Sequence, residues 1–466
     1  MRRSRFVRHA VILAGVASAI PAPAAPDPSK IVGKLPPLET FTLPNGLQVA
    51  VMRVDAAPVV SVQVWYRAGS KDEPRERRGT AHMFEHLLFQ GSDHVRPEMH
   101  AQSIEWLGGY VNASTDEDAT HFIDTLPAAN FDYAVQLEAE RMRHVRLISP
   151  AVDGAKAVVQ AELRQQDASP FAKGLSRFLA VAYQKHPYAA IATGDAKQVA
   201  QVTAEELKRF YDSYYQPNNA LLVVVGKVSA AEVKASAENW FGAMARGGDV
   251  PRPSASSPEP EQTARRREVI EGGAVGLTLI GWHVPPARSK DLYALQLAVN
   301  LLGTGEGSRL KARLKTPDAR TRKPLALDAG MDAFVREDPG LLIALGAYLE
   351  PSQTDAIEAA IFDEVGKLAA RGPGGDELRK AKNQVEAGFV FSLETMQGLG
   401  EAIGRSWIFS GDPGGFVSEA DDLEKVSAAD IQRVVKQYLA ADRATVVVIP
   451  PKQAPKAAPN AAPKAQ

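Results

Sequence analysis

The stretch Gly79-Thr80-Ala81-His82-Met83-Phe84-Glu85-His86-Leu87-Leu88-Phe89 spaces two histidines and a glutamate as His-x-x-Glu-His. At 3.6 residues per turn, positions i, i+3 and i+4 share a helix face. His82, Glu85 and His86 therefore line up, and Met83, Phe84, Leu87 and Leu88 supply the packing side. Two imidazoles one turn apart can hold one zinc ion through ring nitrogens. The glutamate between them need not be a ligand. It can take a proton from water that the metal acidifies to a pKa of about 7. Such a site needs a third protein ligand and an open fourth position. The best candidate is Glu162, in the helical stretch 155–166 (AKAVVQAELRQQ). Val158 and Val159 precede it by four and three residues, so its carboxylate is expected on an apolar face, where a buried charge needs a partner. Taken alone, Glu162 also reads as an ordinary surface glutamate.

Composition narrows what the chain can be. Its 466 residues suggest about three domain-sized units, or two large ones. Hydrophobic residues at 45% and charged residues at 23% are ordinary for a globular protein and exclude disordered, collagen-like and multi-span membrane classes. Lys+Arg at 54 against Asp+Glu at 55 leaves no basic excess to hold a nucleic-acid backbone. Cysteine is absent, which removes disulfides, thiolate zinc sites, Fe–S clusters and cysteine nucleophiles. Any metal must be held by His, Asp or Glu.

Residues 1–24 read as a secretory leader. Arg2, Arg3, Arg5 and Arg8 precede an apolar run of 11 residues, too short to span a bilayer, and Ala22-Pro23-Ala24 offers a small-residue cleavage site. Periplasmic or secreted location is the expectation, with no stable membrane span once the leader is cut. An uncleaved anchor is the alternative.

The remainder is written twice. Val202-Thr203-Ala204-Glu205-Glu206-Leu207 resembles Val426-Ser427-Ala428-Ala429-Asp430-Ile431, 224 residues later. At the same offset Tyr214 meets Tyr438, and Val223-Val224-Val225 meets Val447-Val448-Ile449. Thr203 with Glu206, and Ser427 with Asp430, predict capping boxes. Segments 58–66 and 274–284 alternate as strands, each followed by a helix, at 79–91 and 291–303. The fold class expected is α+β, in two homologous halves, each a mixed or antiparallel sheet packed with helices. The halves run 30–245, bearing the metal, and 267–450, without it; 246–266 is an exposed linker and 451–466 a disordered Pro/Ala/Lys tail. No Gly-rich dinucleotide turn supports a Rossmann fold.

With these motifs in place, the chain resembles the pitrilysin/insulinase family of zinc peptidases, the inverzincins. Besides His-x-x-Glu-His and a glutamate about 76 residues later, it carries Asn45-Gly46-Leu47, Gly108-Gly109-Tyr110-Val111-Asn112-Ala113-Ser114-Thr115, His186-Pro187-Tyr188 and Tyr215-Gln216-Pro217-Asn218-Asn219-Ala220. The resemblance implies that His82, His86 and Glu162 bind zinc and that Glu85 is the general base. It implies that Asn112 and Ala113 border the scissile bond of an extended peptide, and that two halves close like a clamshell on a chamber for unstructured peptides. Mn²⁺ or Co²⁺ would also suit two histidines and a carboxylate, although ligand type and open geometry favour zinc. In the second half Gln296, Val299 and Asn300 stand where His82, Glu85 and His86 would be, so one zinc per chain, in the N-terminal half, is expected.

Two departures matter. Many members carry a further glutamate where this chain has Ala155, and an Arg/Tyr pair in the second half whose Tyr position is Leu327 here. Ser308-Arg309-Leu310 is present, and Arg320 or Arg322 are the cations near the gap. The sequence therefore points to a homologous partner chain supplying the Arg/Tyr pair, otherwise a homodimer. A non-catalytic scaffold or partner subunit of the same fold is the alternative. His94, His100, His121 and His144 look like isolated surface or packing residues, and 75–78 like a solvated charged loop.

Overall fold

The computed structural model describes residues 35–317 and 322–452. The leader, residues 453–466 of the tail, and Arg320 lie outside the described residues.

Two sheets dominate. The first holds β1 (Leu38–Thr42), β2 (Gln48–Arg53), β3 (Val59–Tyr66), β4 (Tyr110–Thr115), β5 (Thr120–Pro127) and β6 (Ala220–Gly226), in the order β1-β2-β6-β3-β5-β4. The second holds β7 (Arg266–Val269), β8 (Gly276–Val284), β9 (Asp328–Phe334), β10 (Gly340–Tyr348) and β11 (Thr445–Ile449), in the order β7-β11-β8-β10-β9. In each sheet one pair is parallel, β2 with β6 and β7 with β11, and the other pairs are antiparallel. Strand order and sense repeat, with β1 added to the first sheet. β6 and β11 are β-branched runs buried on both faces, which is what a central strand needs. β4 is an edge strand and alternates exposed with half-buried residues.

Helices α1 (Thr80–Leu87), α2 (Met99–Trp106), α3 (Phe131–Arg143), α4 (Ser149–Asp167), α5 (Pro170–Ala182), α6 (Ala196–Gln201), α7 (Ala204–Tyr214) and α8 (Ala230–Phe241) belong to the first half. The second half has α9 (Leu292–Gly303), α10 (Arg309–Lys315), α11 (Thr354–Arg371), α12 (Gly375–Ser392), α13 (Met396–Ser410), α14 (Glu419–Lys425) and α15 (Ala428–Tyr438). The expected capping boxes form. Thr203 Oγ1 accepts from Glu206 N and Ser427 Oγ from Asp430 N, both at 3.2 Å, with the reciprocal carboxylate bonds at 2.9 Å.

Each half lends one helix to the other. α5 lies on β8 and β11 of the second sheet, and α13 lies on β3 and β6 of the first. Glycines make the approach close. A Cβ on Gly281 of β8 would sit 2.6 Å from Phe178 Cζ of α5, and one on Gly404 of α13 would sit 2.1 Å from Trp65 Cε2 of β3. Trp65 and Gly281 occupy matching registers, opposite Leu221 and Thr445. The duplicated interface thus keeps its geometry while knob and hole exchange sides.

An ion cluster completes the junction. Lys71 Nζ lies 2.8 Å from Asp118 Oδ1 and 2.5 Å from Glu337 Oε2, with its side chain 3% exposed. Arg336 bonds Glu117 at 2.6 Å, and Glu337 N–H donates to Asp118 at 2.8 Å. Tyr188 donates its hydroxyl to Asp118 and accepts from Asp338 N–H. Burial works against the Lys71 ammonium, but Asp118 and Glu337 hold its pKa well above the usual lysine value. A hydrogen bond from His186, opposing burial, brings Asp338 down to about 2. Its contribution is therefore complete above the ordinary 3.8 and is lost only as pH falls toward that lower value.

The 246–266 segment is largely exposed, as a linker would be, but it is tethered at a few points. Ser254 and Gln262 are buried, Arg252 bonds Asn219 Oδ1 at 2.7 Å, and the Glu259 carboxylate accepts backbone N–H groups of residues 184–186. The 75–78 loop is not wholly solvated either, since Arg78 is buried and donates to Ser70 O at 2.8 Å.

The shared helix packing yields a test. Gly404→Ala must push α13 from Trp65, and overpacking of this kind costs about 1–3 kcal/mol. Urea unfolding of the variant should show a lower midpoint with an unchanged slope; an unaltered midpoint would mean that α13 is not seated on Trp65.

Candidate metal centre

α1 is only eight residues long and has no acid in its first turn. Its N-terminal N–H groups are satisfied from outside the helix. Glu73 accepts from Gly79 N at 3.0 Å and from Ala81 N at 2.7 Å. Burial pushes the Glu73 carboxyl up, while the Ala81 N–H, Arg78 and the Gly79 N–H pull against it. Gly79 has φ 97°, a left-handed turn that glycine adopts without strain, and a Cβ there would meet Val199 at 2.6 Å. Met83, Phe84 and Leu87 are buried, so the polar face of α1 is fixed in rotation.

That face meets α4. His82 Nε2 lies 3.3 Å from His86 Nε2 and 3.3 Å from Glu162 Oε2, and His86 Nε2 lies 3.5 Å from the same oxygen. Tetrahedral ligands about 2.0–2.1 Å from a zinc ion stand about 3.3 Å apart, so this donor triangle fits that ion. His82 Nδ1–H donates to the Thr193 carbonyl at 3.3 Å, which leaves Nε2 with its lone pair toward the triangle. Thr193 is held in turn by its hydroxyl, which donates to Gln166 of α4 at 2.8 Å. One helix thus supplies a donor and steadies the loop that orients another. Burial, and then the neighbouring His82, lower the His86 pKa, which keeps the neutral, ligating form.

Glu85 is half-buried on the same face, and no described group hydrogen-bonds its carboxylate. Asn112 and Ala113 lie on β4, against which α1 packs. The outer edge of β4 has no strand neighbour among the described residues. Asn112 faces the sheet side shared with Ile123, and Ala113 faces the core beside Phe122.

The structure departs from the sequence reading over the setting of Glu162 and over the isolation of the four histidines. The Glu162 side chain is 46% exposed and Val158 is also exposed, so the carboxylate is not on a buried face. The apolar side of α4 is Ala155, Val159 and Leu163, and Ala155 joins the core. The four histidines are not isolated. His94 contacts Glu140, His144 contacts Asp93, His100 is buried between Asp124 and Arg141, and the His121 ring stacks on Trp65 at 3.8 Å. In the second half Arg309 is engaged by a bidentate bond to Glu377, both contacts 2.7 Å, and Leu327 is exposed. Two groups that serve the site gave no sequence signal. Thr193 acts through its backbone carbonyl, and Glu73 caps a helix that starts seven residues later.

Residues 48–195 match the model of the insulinase family, peptidase family M16, and residues 201–385 match that of the peptidase M16 inactive domain. The second match covers the half in which Gln296, Val299 and Asn300 replace the donor set. The chain is 28% identical to the zinc protease PqqE of Helicobacter pylori over 90% of this chain and 94% of that protein. It is 24% identical to a probable mitochondrial-processing peptidase subunit beta of Arabidopsis thaliana, over 90% and 79%. A crystal structure of a protease from Helicobacter pylori superposes with a TM-score of 0.83 at 27% identity, covering 89% of this chain and 99% of that one. Donor triangle, duplicated sheets and these matches together make the chain a member of the pitrilysin/insulinase (M16) family of peptidases, of the type with about 450 residues.

Proposed function

We propose that this chain is a zinc metallopeptidase that hydrolyses peptide bonds in unstructured peptides. The observation that carries the reading is the convergence of His82, His86 and Glu162 on one triangle with Glu85 beside it. Bound there, zinc supplies Lewis acidity that acidifies water and polarises a carbonyl. The chain's own groups do the rest. An extended peptide adds to the open edge of β4 by main-chain hydrogen bonds, with Asn112 and Ala113 flanking the bond to be cut. Glu85 accepts the proton of the attacking water and returns it to the departing amine nitrogen. The two halves, tied by the Lys71 cluster, form the walls of a chamber that admits flexible chains. The leader-like composition of residues 1–24 supports placing this activity in the periplasm or the exterior.

We propose further that substrate grip comes from a homologous partner chain. Arg309 is spent on Glu377 and Leu327 offers no hydroxyl. A relative whose name includes the word subunit supports the idea.

Glu85→Gln should retain zinc and lose turnover by about 10²–10⁴-fold on a mixture of unstructured peptides, read by mass spectrometry. Near-normal turnover with zinc bound would remove Glu85 from its role. Glu162→Ala should weaken zinc binding at least about 100-fold in a chelator competition, since even loss of a group behind a ligand costs 10–100-fold. The purified chain alone should cleave at least about 100-fold more slowly than with its homologous partner. Full activity alone would refute the partner requirement. Stoichiometric zinc without hydrolysis in either state would instead favour a scaffold subunit.

A further inference from the structure

A second donor cluster of two histidines and a carboxylate lies at the end of the loop that leaves α1. Glu140 and His144 are four residues apart at the C-terminus of α3, the spacing of His82 and His86 on α1. His94 reaches them from the loop. Its Nδ1 lies 3.0 and 3.2 Å from the two oxygens of Glu140, and its ring centroid is 5.1 Å from that of His144. Asp93 Oδ2 lies 3.5 Å from His144 Nδ1. One donor atom each from His94, Glu140 and His144 falls within 4.8 Å of the other two.

The two segments are already fastened. Ser92 and Val145 pair as a β-bridge, and Asp93 N–H donates to the His144 carbonyl at 3.0 Å. The carboxylate is aimed as well. Ser92 Oγ donates to Glu140 Oε1 at 2.6 Å and His94 N–H donates to the same oxygen at 3.1 Å. Oε2 is left to the His94 ring alone. Outer hydrogen bonds that hold one oxygen and present the other are the usual support of a metal-binding carboxylate. A pair of surface salt bridges accounts for these contacts less well. Each neutral imidazole could donate one N–H to its carboxylate, but exposed pairs of this kind stabilise little and do not by themselves gather His94, Glu140 and His144 at one point.

We propose that His94, Glu140 and His144 form a second, non-catalytic zinc site, with Asp93 or water as the fourth ligand. Its carboxylates, Glu140 and Asp93, each contact one of its histidines, so neither is left over for the role that Glu85 takes beside His82 and His86. Its effect is mechanical: the ion ties the loop leaving α1 to the end of α3. With the His94 side chain 70% exposed, the site exchanges metal with solvent.

The test is a zinc titration of the His82→Gln/His86→Gln chain, in which the first site has lost two donors. One zinc per chain with a Kd of about 10 µM or tighter, an accompanying rise in Tm, and the visible spectrum of a tetrahedral ion on Co²⁺ substitution are expected. Adding His94→Gln/His144→Gln should weaken binding at least about 100-fold, and Glu140→Gln should do so while keeping the Ser92 bond. In the otherwise unaltered chain, His94→Gln/His144→Gln should lower the zinc count from two to one. Binding only above about 100 µM, or binding indifferent to these changes, would overturn the proposal. The first site is absent from the main experiment, so its failure leaves the proposed peptidase activity standing.

Discussion

An eight-residue helix is too short to be stable by its own propensity, and α1 carries two of the three donors that converge at the site. What holds it is a carboxylate from the preceding turn. Glu73 bonds the N–H groups of Gly79, the N-cap, and of Ala81 in the first turn of α1, and the short 3₁₀ turn before it (Ser70–Asp72) contains Lys71, the centre of the ion cluster between the halves. The chain path from Glu337 through Lys71 to Glu73 and then His82 is continuous and largely buried. Orientation of the histidines is therefore a property of both halves. The half with no donor set thus contributes to this framework: its β9–β10 hairpin supplies Arg336, Glu337 and Asp338 to that cluster.

The same division of labour appears in the helix exchange. A sheet with one face on its own helices still has a second face to cover. α13 covers Trp65, Leu221 and Val223 of the first sheet, and α5 covers Leu279 and Val447 of the second. Neither sheet is complete without the other half, so the duplicated units are bound by their cores and not only by surface charge. Where the first half places Trp65, the second places Gly281, and the helices compensate with Gly404 and Phe178. Duplication kept the backbone arrangement and let the volumes drift in pairs, as close packing requires.

Residue patterns that repeat along the chain were legible in the sequence. The face shared by His82, Glu85 and His86, the capping boxes and the duplicated strand–helix units all depend on local periodicity, and all three appear in the structure. Features made by long-range convergence were not legible. His94 and Glu140 are 46 residues apart and His100 and Asp124 are 24 apart, so nothing in their neighbourhoods announces a cluster. The 246–266 segment has the composition of a linker and is mostly exposed, but Arg252 pins it to Asn219 and Glu259 to the backbone of residues 184–186, and composition cannot register those tethers. Glu162 was identified on a mistaken premise. Val158 points outward, and the apolar face of α4 runs through Ala155, Val159 and Leu163.

The exposure of Glu162 changes how the third donor is understood. A carboxylate buried among valines would have been costly without a cation, and that cost was the sequence argument for a metal. At 46% exposure no such penalty exists, so the physical case rests on position: one oxygen of Glu162 lies within 3.5 Å of both imidazole nitrogens. The half-open setting also suits the chemistry. His82 and His86 are anchored in the wall, 9% and 22% exposed, while the Glu162 carboxylate stands at the mouth, open to water. A fully buried triangle would bind metal as firmly and admit no substrate. On the proposed peptidase reading, two donors fixed in the wall and a third open to water are what such a site needs, because the ligands must stay in place while a substrate comes and goes.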